Sequence, residues 1–114
     1  MPTAAKATVD RSQLRVALED TVAHVFEIDR SRLSQPTRGA ATVAQARQVA
    51  MYLAHIGYGM TLTEVGQLFE RDRTTVAHAC HVIEDRRECP RFDRALDILE
   101  SVARQLAQAA PEVV

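Results

Sequence analysis

Five consecutive residues, Arg71-Asp72-Arg73-Thr74-Thr75, combine groups suited to reading an edge of hydrogen-bond donors and acceptors. Arginine offers a planar fork of N–H donors, aspartate only accepts, and threonine sets a hydroxyl beside a methyl. On duplex DNA such a fork matches guanine O6 and N7. A carboxylate accepts from cytosine N4, and the threonine methyl packs on the methyl of thymine. The run therefore suits base edges, provided that a helix start carries it into a groove.

A second cluster follows at once. In His78-Ala79-Cys80-His81 the two histidines are three apart and could share a helix face. Zinc sites need a second ligand pair at suitable spacing, and none is present. Cys80 falls on an apolar face and reads as a small core residue. Cys89 follows a charged stretch. The carboxylates sit at helix caps and surface positions, and no Ser-His-Asp or Cys-His arrangement has a catalytic context. Neither an enzyme nor a metal or other cofactor is expected.

The elements that must position these groups run from Thr61 to Arg87. Thr61 and Glu64 form a capping box ahead of an apolar run, Leu62, Val65, Leu68 and Phe69. Four charged residues, Glu70 to Arg73, break it. A second periodic segment then places Val76, Ala79, Cys80 and Ile83 on one face, with His78, His81, Glu84 and Asp85 largely off it. A short helix, a tight turn and a longer helix make a helix-turn-helix, whose second helix meets base edges with its first residues. Gly66, in mid-helix, fits close approach at the elbow.

The rest of the chain supplies supports. Residues 1–9 are small and polar and are expected to form a flexible tail. Asp10 or Ser12 can cap a helix reaching about Glu27. Its stripe is Leu14, Leu18, Val22, Val25 and Phe26, with Arg15, Glu19, Asp20 and His24 outside it. Asp29 to Leu33 reads as a short helical turn ended by Pro36, and residues 36–42 as a loop. Between Asp29 and Arg47 the local net charge is +3, from Arg30, Arg32, Arg38 and Arg47 against one acid. That window is either a solvated loop or an arm facing phosphate or a minor groove. Thr42 and Gln45 make a second capping box for a helix to about His55, with Ala46, Val49, Ala50, Leu53 and Ala54 inward and Gly57 as its left-handed C′ residue. Pro90 opens a last helix, where Phe92, Leu96, Leu99, Ala103 and Leu106 close the core before Pro111 and a short tail, 110–114.

This pattern predicts one all-α domain over residues 10–109, of about five to six helices. With 46% hydrophobic residues but no Trp, its core must come from aliphatic side chains. The net charge of −1 counts mildly against nucleic-acid binding, which favours a basic footprint. Thirteen arginines against one lysine fit phosphate and guanine recognition, or the codon usage of a GC-rich genome. No apolar N-terminal segment or membrane-length run is visible, so a soluble cytoplasmic protein with reduced thiols is expected.

The run from Ala46 to Asp85 resembles the C-terminal DNA-binding domain of the bacterial replication initiator DnaA. The resemblance rests on Arg47-Gln48, Ala50-Met51, Thr61-Leu62-Thr63-Glu64-Val65-Gly66, and Arg71-Asp72-Arg73-Thr74-Thr75-Val76-Ala77-His78-Ala79, and extends over about residues 12 to 107. It implies double-stranded DNA as partner, with other replication or transcription proteins as further candidates, and a monomer associated with the nucleoid. By the same resemblance Asp72, Arg73 and Thr74 face bases, and Thr63 sits where the family has a base-contacting proline. Thr75 and His78 lie near the backbone. Arg47, Gln48 and His55 match positions that touch phosphate or sugar, and Thr61 could offer its hydroxyl and nearby N–H groups to a phosphate. Arg71 opens the motif, and Arg38 is left to reach a minor groove.

The chain departs from the family pattern at three places. Arg73 replaces a histidine, and Phe69-Glu70-Arg71 is one residue shorter than the usual Phe-Gly-Gly-Arg turn. Gly39, Ala40, Ala41 and Gln45 replace much of a basic loop. The 114 residues contain no phosphate loop, so a free-standing DNA-binding module is expected. The alternative is a protein-interaction module that kept the fold and lost DNA reading.

Overall fold

The computed structural model describes residues 3–27 and 41–109, with side chains within 13–27 and 43–108. Among them are five α-helices: α1 (Thr3–Phe26), α2 (Ala41–Tyr52), α3 (Leu62–Phe69), α4 (Arg73–Arg86) and α5 (Pro90–Ala109). The all-helical architecture expected from the apolar spacing is the one observed.

The end of α2 lies at the centre. Val49 to Ala54 are buried without interruption, and a helix apolar all round is one enclosed by its neighbours. α2 packs against α1 and α4, and α3 packs against α4. Each outer helix turns a stripe inward: Leu14, Leu18 and Val22 from α1, Val76, Ala79 and Ile83 from α4, Leu96, Leu99 and Ala103 from α5. These spacings of three and four put each set on one helix face.

Several expectations are corrected. α1 begins at Thr3, taking in most of residues 1–9 and running through both proposed caps. Ala4, Ala5 and Ala7 have the strongest helix propensity, and this outweighs the lack of an apolar stripe. Val25 is 48% exposed, whereas Glu19 is buried at 2%. The cause is an ion pair: Arg15 Nε lies 3.1 Å from Glu19 Oε2 and meets the cost of burying the carboxylate. Thr42 lies inside the first turn of α2 instead of capping it. The segment 29–33, the loop at 36–40 with Arg38, and the tail 110–114 lie outside the described residues.

Gly57 is not a left-handed cap either. Leu53–Gly57 continue α2 as a π turn, closed by Tyr58 N–H donating to Leu53 O at 2.9 Å. A Cβ on Gly57 would stand 2.6 Å from Ala103 Cβ, so this glycine lets α5 approach. Among the described glycines, the one with positive φ is Gly59, at +89°.

At the C-terminal end of α4, Arg87 ties three helices together. Its Nε donates to Asp93 Oδ1 at 2.5 Å, its Nη1 to Tyr52 Oη at 3.1 Å and to Glu100, and its Nη2 to Asp97 Oδ1 at 2.5 Å. Tyr52 Oη donates to Glu84 Oε1 at 2.7 Å, and Arg104 pairs with Glu100 at 3.1 Å. Burial pulls the Arg87 guanidinium down, but its bonds to Asp93, Tyr52 and Glu100 outweigh burial and hold it above its ordinary value.

Candidate nucleic-acid interface

The capping box at the start of α3 is present in both directions. Glu64 N–H donates to Thr61 Oγ1 at 3.1 Å, and Thr61 N–H donates to Glu64 Oε1 at 2.9 Å. Those two N–H groups are therefore taken, which narrows what Thr61 can give a phosphate to its hydroxyl proton and the N–H groups of the next two residues.

Gly66 explains how α4 is brought against α3. A Cβ there would stand 2.7 Å from Arg71 O, so the turn closes against a bare Cα. Arg71 N–H donates to Gly66 O at 2.9 Å. Glu70 adopts φ +58°, ψ +49°, the left-handed conformation that favours glycine. Arg71 Nη1 folds back to donate to Phe69 O and Glu70 O, both at 3.2 Å. Arg71 thus braces the turn as well as lining the surface.

Asp72 is the N-cap of α4, with extended φ −62° and ψ 147°, yet its carboxylate makes no capping hydrogen bond. Aspartate at this position normally satisfies a helix N–H and stabilises by about 1 kcal/mol. Here the carboxylate is left available for an outside partner. Arg73, Thr74, Thr75 and His78 follow, all exposed.

Two concavities flank the start of α4. One, of about 550 Å³, gathers Arg47 and Gln48 from α2, Arg71 from the turn, and Thr75 and His78 from α4. The other, of about 400 Å³, joins Thr63 and Gln67 of α3 to Glu70, Asp72 and Arg73. Arg71 borders both. In the first, burial and then the neighbouring Arg71 charge hold the Arg47 guanidinium below its ordinary value, while Glu19 pulls it up. Two cations facing one hollow suit an anion such as a phosphate oxygen.

Nine of the twelve site residues expected from sequence are placed at or beside these hollows: the eight that line them and Thr74, exposed on the same first turn. Thr61 and His55 line neither. His55 Nδ1 meets Met60 O at 2.6 Å. A carbonyl only accepts, so Nδ1 carries the proton and Nε2 can donate to a phosphate only when the ring is protonated on both nitrogens. Arg38 lies outside the described residues.

The sequence reading missed two participants. Gln67 shares the face of Thr63 four residues earlier, a spacing visible in the sequence. Arg15 is the other. Its Nη1 donates to Leu68 O at 3.0 Å, and its guanidinium lies 5.2 Å above the Phe69 ring centre, so α1 holds the end of α3 in place. No local signal marks it, since the contact spans more than fifty residues. Among the described residues no three His, Cys, Asp or Glu side chains converge on a metal position, and no helix is long and apolar enough to cross a membrane.

Comparison with known proteins agrees with the helix-turn-helix. Residues 17–83 match the family model described as the bacterial DnaA protein helix-turn-helix. The chain is 37% identical over 100 residues to the chromosomal replication initiator protein DnaA of Herminiimonas arsenicoxydans, covering 85% of this chain and 22% of that protein. It is 41% identical over 99 residues to the DnaA of Rhodopseudomonas palustris, covering 82% and 20%. It thus spans about a fifth of the length of these relatives. A crystal structure of a DNA replication initiation factor shares the fold, with a TM-score of 0.76 at 24% identity over 89% of this chain and 31% of that one.

Proposed function

We propose a function from one premise: this chain belongs to the bacterial DnaA helix-turn-helix family. It binds double-stranded DNA in a sequence-dependent way and acts, without catalysis or cofactor, in transcription regulation or in the control of replication initiation at the nucleoid. The first turn of α4 enters the major groove. Asp72, Arg73 and Thr74 read base edges there, with Thr63 beside them, while Arg47, Gln48, Thr75 and His78 hold the sugar-phosphate backbone. The observation that carries this reading is the exposed start of α4. Asp72 keeps its carboxylate off the helix end, and Arg73 stands exposed next to it.

Fluorescence anisotropy against duplexes selected from a random pool tests the proposal. The expected result is an enriched sequence bound at least a thousandfold tighter than scrambled duplex at physiological salt, as is usual for specific readers. Equal binding to both would refute it. The net charge of −1 and the acids Glu70 and Asp72 on the reading edge favour a second reading, docking to a protein with no DNA contact. That reading predicts a stable protein partner in pull-down that survives the double change Arg73→Ala, Thr74→Ala.

A further inference from the structure

The turn between α3 and α4 carries an acid where the backbone favours glycine. Glu70 holds the left-handed conformation with a full side chain, and that side chain is 82% exposed. It lines the same hollow as Thr63, Asp72 and Arg73. Glycine would fit this φ with less strain; the side chain present instead is tied to α1 through Arg15 and still stays mostly exposed.

Its position is set from a distance. Arg15 Nη1 stands 3.6 Å from Glu70 Oε2. Arg15 is itself held by Glu19, by Leu68 O and by the face of Phe69. It is thus a fixed post beside Glu70, which it steers without covering.

A carboxylate can only accept. Facing DNA, it is repelled by every phosphate. The donors that the major groove offers it are the amino groups of cytosine (N4) and adenine (N6). We infer that Glu70 is a specificity-determining residue: its carboxylate accepts from a base amino group beside the bases read by Asp72 and Arg73, and disfavours every register that offers it phosphates alone. This rests on the DNA-binding reading above. It assigns Glu70 two effects of opposite sign, tighter binding to the right site and weaker binding to all others.

The test compares the wild-type chain with Glu70→Ala and Glu70→Gln on two duplexes, the sequence that wild type enriches from a random pool and a scrambled control. Glu70→Ala is expected to lose about tenfold on the selected site, the scale of a hydrogen bond to a charged group. It should also drop the preference for C or A at one position, and the base that wild type returns there tells the two amino groups apart. Both variants should bind the scrambled duplex about threefold tighter, as expected on removing one charge several ångströms from a phosphate. If both variants gain on both duplexes by the same factor, and selection returns the same sequence, Glu70 only repels DNA and the inference falls. Absence of binding by the wild-type chain to any duplex would instead refute the DNA-binding reading beneath it.

Discussion

Replacing Arg73 by Ala and Arg47 by Ala should separate reading from holding. Arg73 is exposed at the start of α4 and shapes the hollow beside Asp72. Its removal leaves no buried partner stranded, so the folded protein should be unaffected. A guanidinium bound to guanine O6 and N7 contributes ~1–3 kcal/mol of discrimination, so Arg73→Ala should weaken the selected site by roughly 5- to 150-fold. Affinity for scrambled duplex should barely move. Arg47 lies half-buried in the other hollow, near Arg71 and Glu19. Arg47→Ala should weaken all duplexes alike and flatten the slope of log affinity against log salt by about one. Anisotropy titrations at three salt concentrations measure both effects, with a urea melt of each variant to exclude misfolding. If both variants lower specific and scrambled binding by the same factor, Arg73 does not read a base.

Three further outcomes test the scaffold. Arg87→Ala strips Glu100, 8% exposed, of one of its two arginine partners and frees Tyr52 from a bond; it should lower unfolding free energy by about 3 kcal/mol in urea, and a change under 1 kcal/mol would show the network to be decorative. Gly57→Ala should cost about 1–3 kcal/mol because its Cβ would meet Ala103, and Ala103→Gly should restore most of the loss; failure of the rescue would place the strain elsewhere. Burial and the neighbouring Glu84 push the Cys80 thiol up to about 11, and burial with the Glu84 bond pushes the Tyr52 phenol up to about 12. Both values exceed those of an unfolded chain, so this stabilisation is complete below about pH 8.5 and is lost as pH rises through 11 and 12. The urea midpoint should hold from pH 7 to 8 and fall from pH 9 upward, less steeply in Tyr52→Phe; a flat midpoint to pH 11 would contradict the assignment.

The legible parts of this chain were those fixed by neighbours in sequence. The capping box at Thr61, the elbow at Gly66 and the start of α5 at Pro90 each depend on residues no more than five apart, so spacing alone revealed them. Most missed parts depend on distant partners. Glu19 has a local partner in Arg15, four residues earlier, but looks like a surface acid until the distant Arg47 is seen beside it. Gly57 resembles a helix stop because its reason for being glycine, Ala103 of α5, lies far along the chain. For the candidate interface, the residues of the turn and of the start of α4 stand in one continuous run that the sequence displays, whereas the way α1 holds that run through Arg15 is visible only in space.

Net charge misleads here because the charges are sorted. At the C-terminal end of α4, Asp93, Asp97 and Glu100 are gathered around Arg87 and Arg104, and much of their charge is compensated there. Among the described residues, the two hollows at the start of α4 are lined by three guanidinium groups, Arg47, Arg71 and Arg73, and two carboxylates, Glu70 and Asp72. Exposed charges farther apart than about 8 Å are largely screened at physiological salt, so a duplex at these hollows meets mainly their own lining, which among the described residues is positive by a narrow margin. So small a margin gives little sequence-independent attraction. On the base reading proposed above, a chain built this way draws a larger share of its affinity from base contacts than a strongly basic domain does, and its binding to the selected site should therefore survive added salt better than its binding to random DNA.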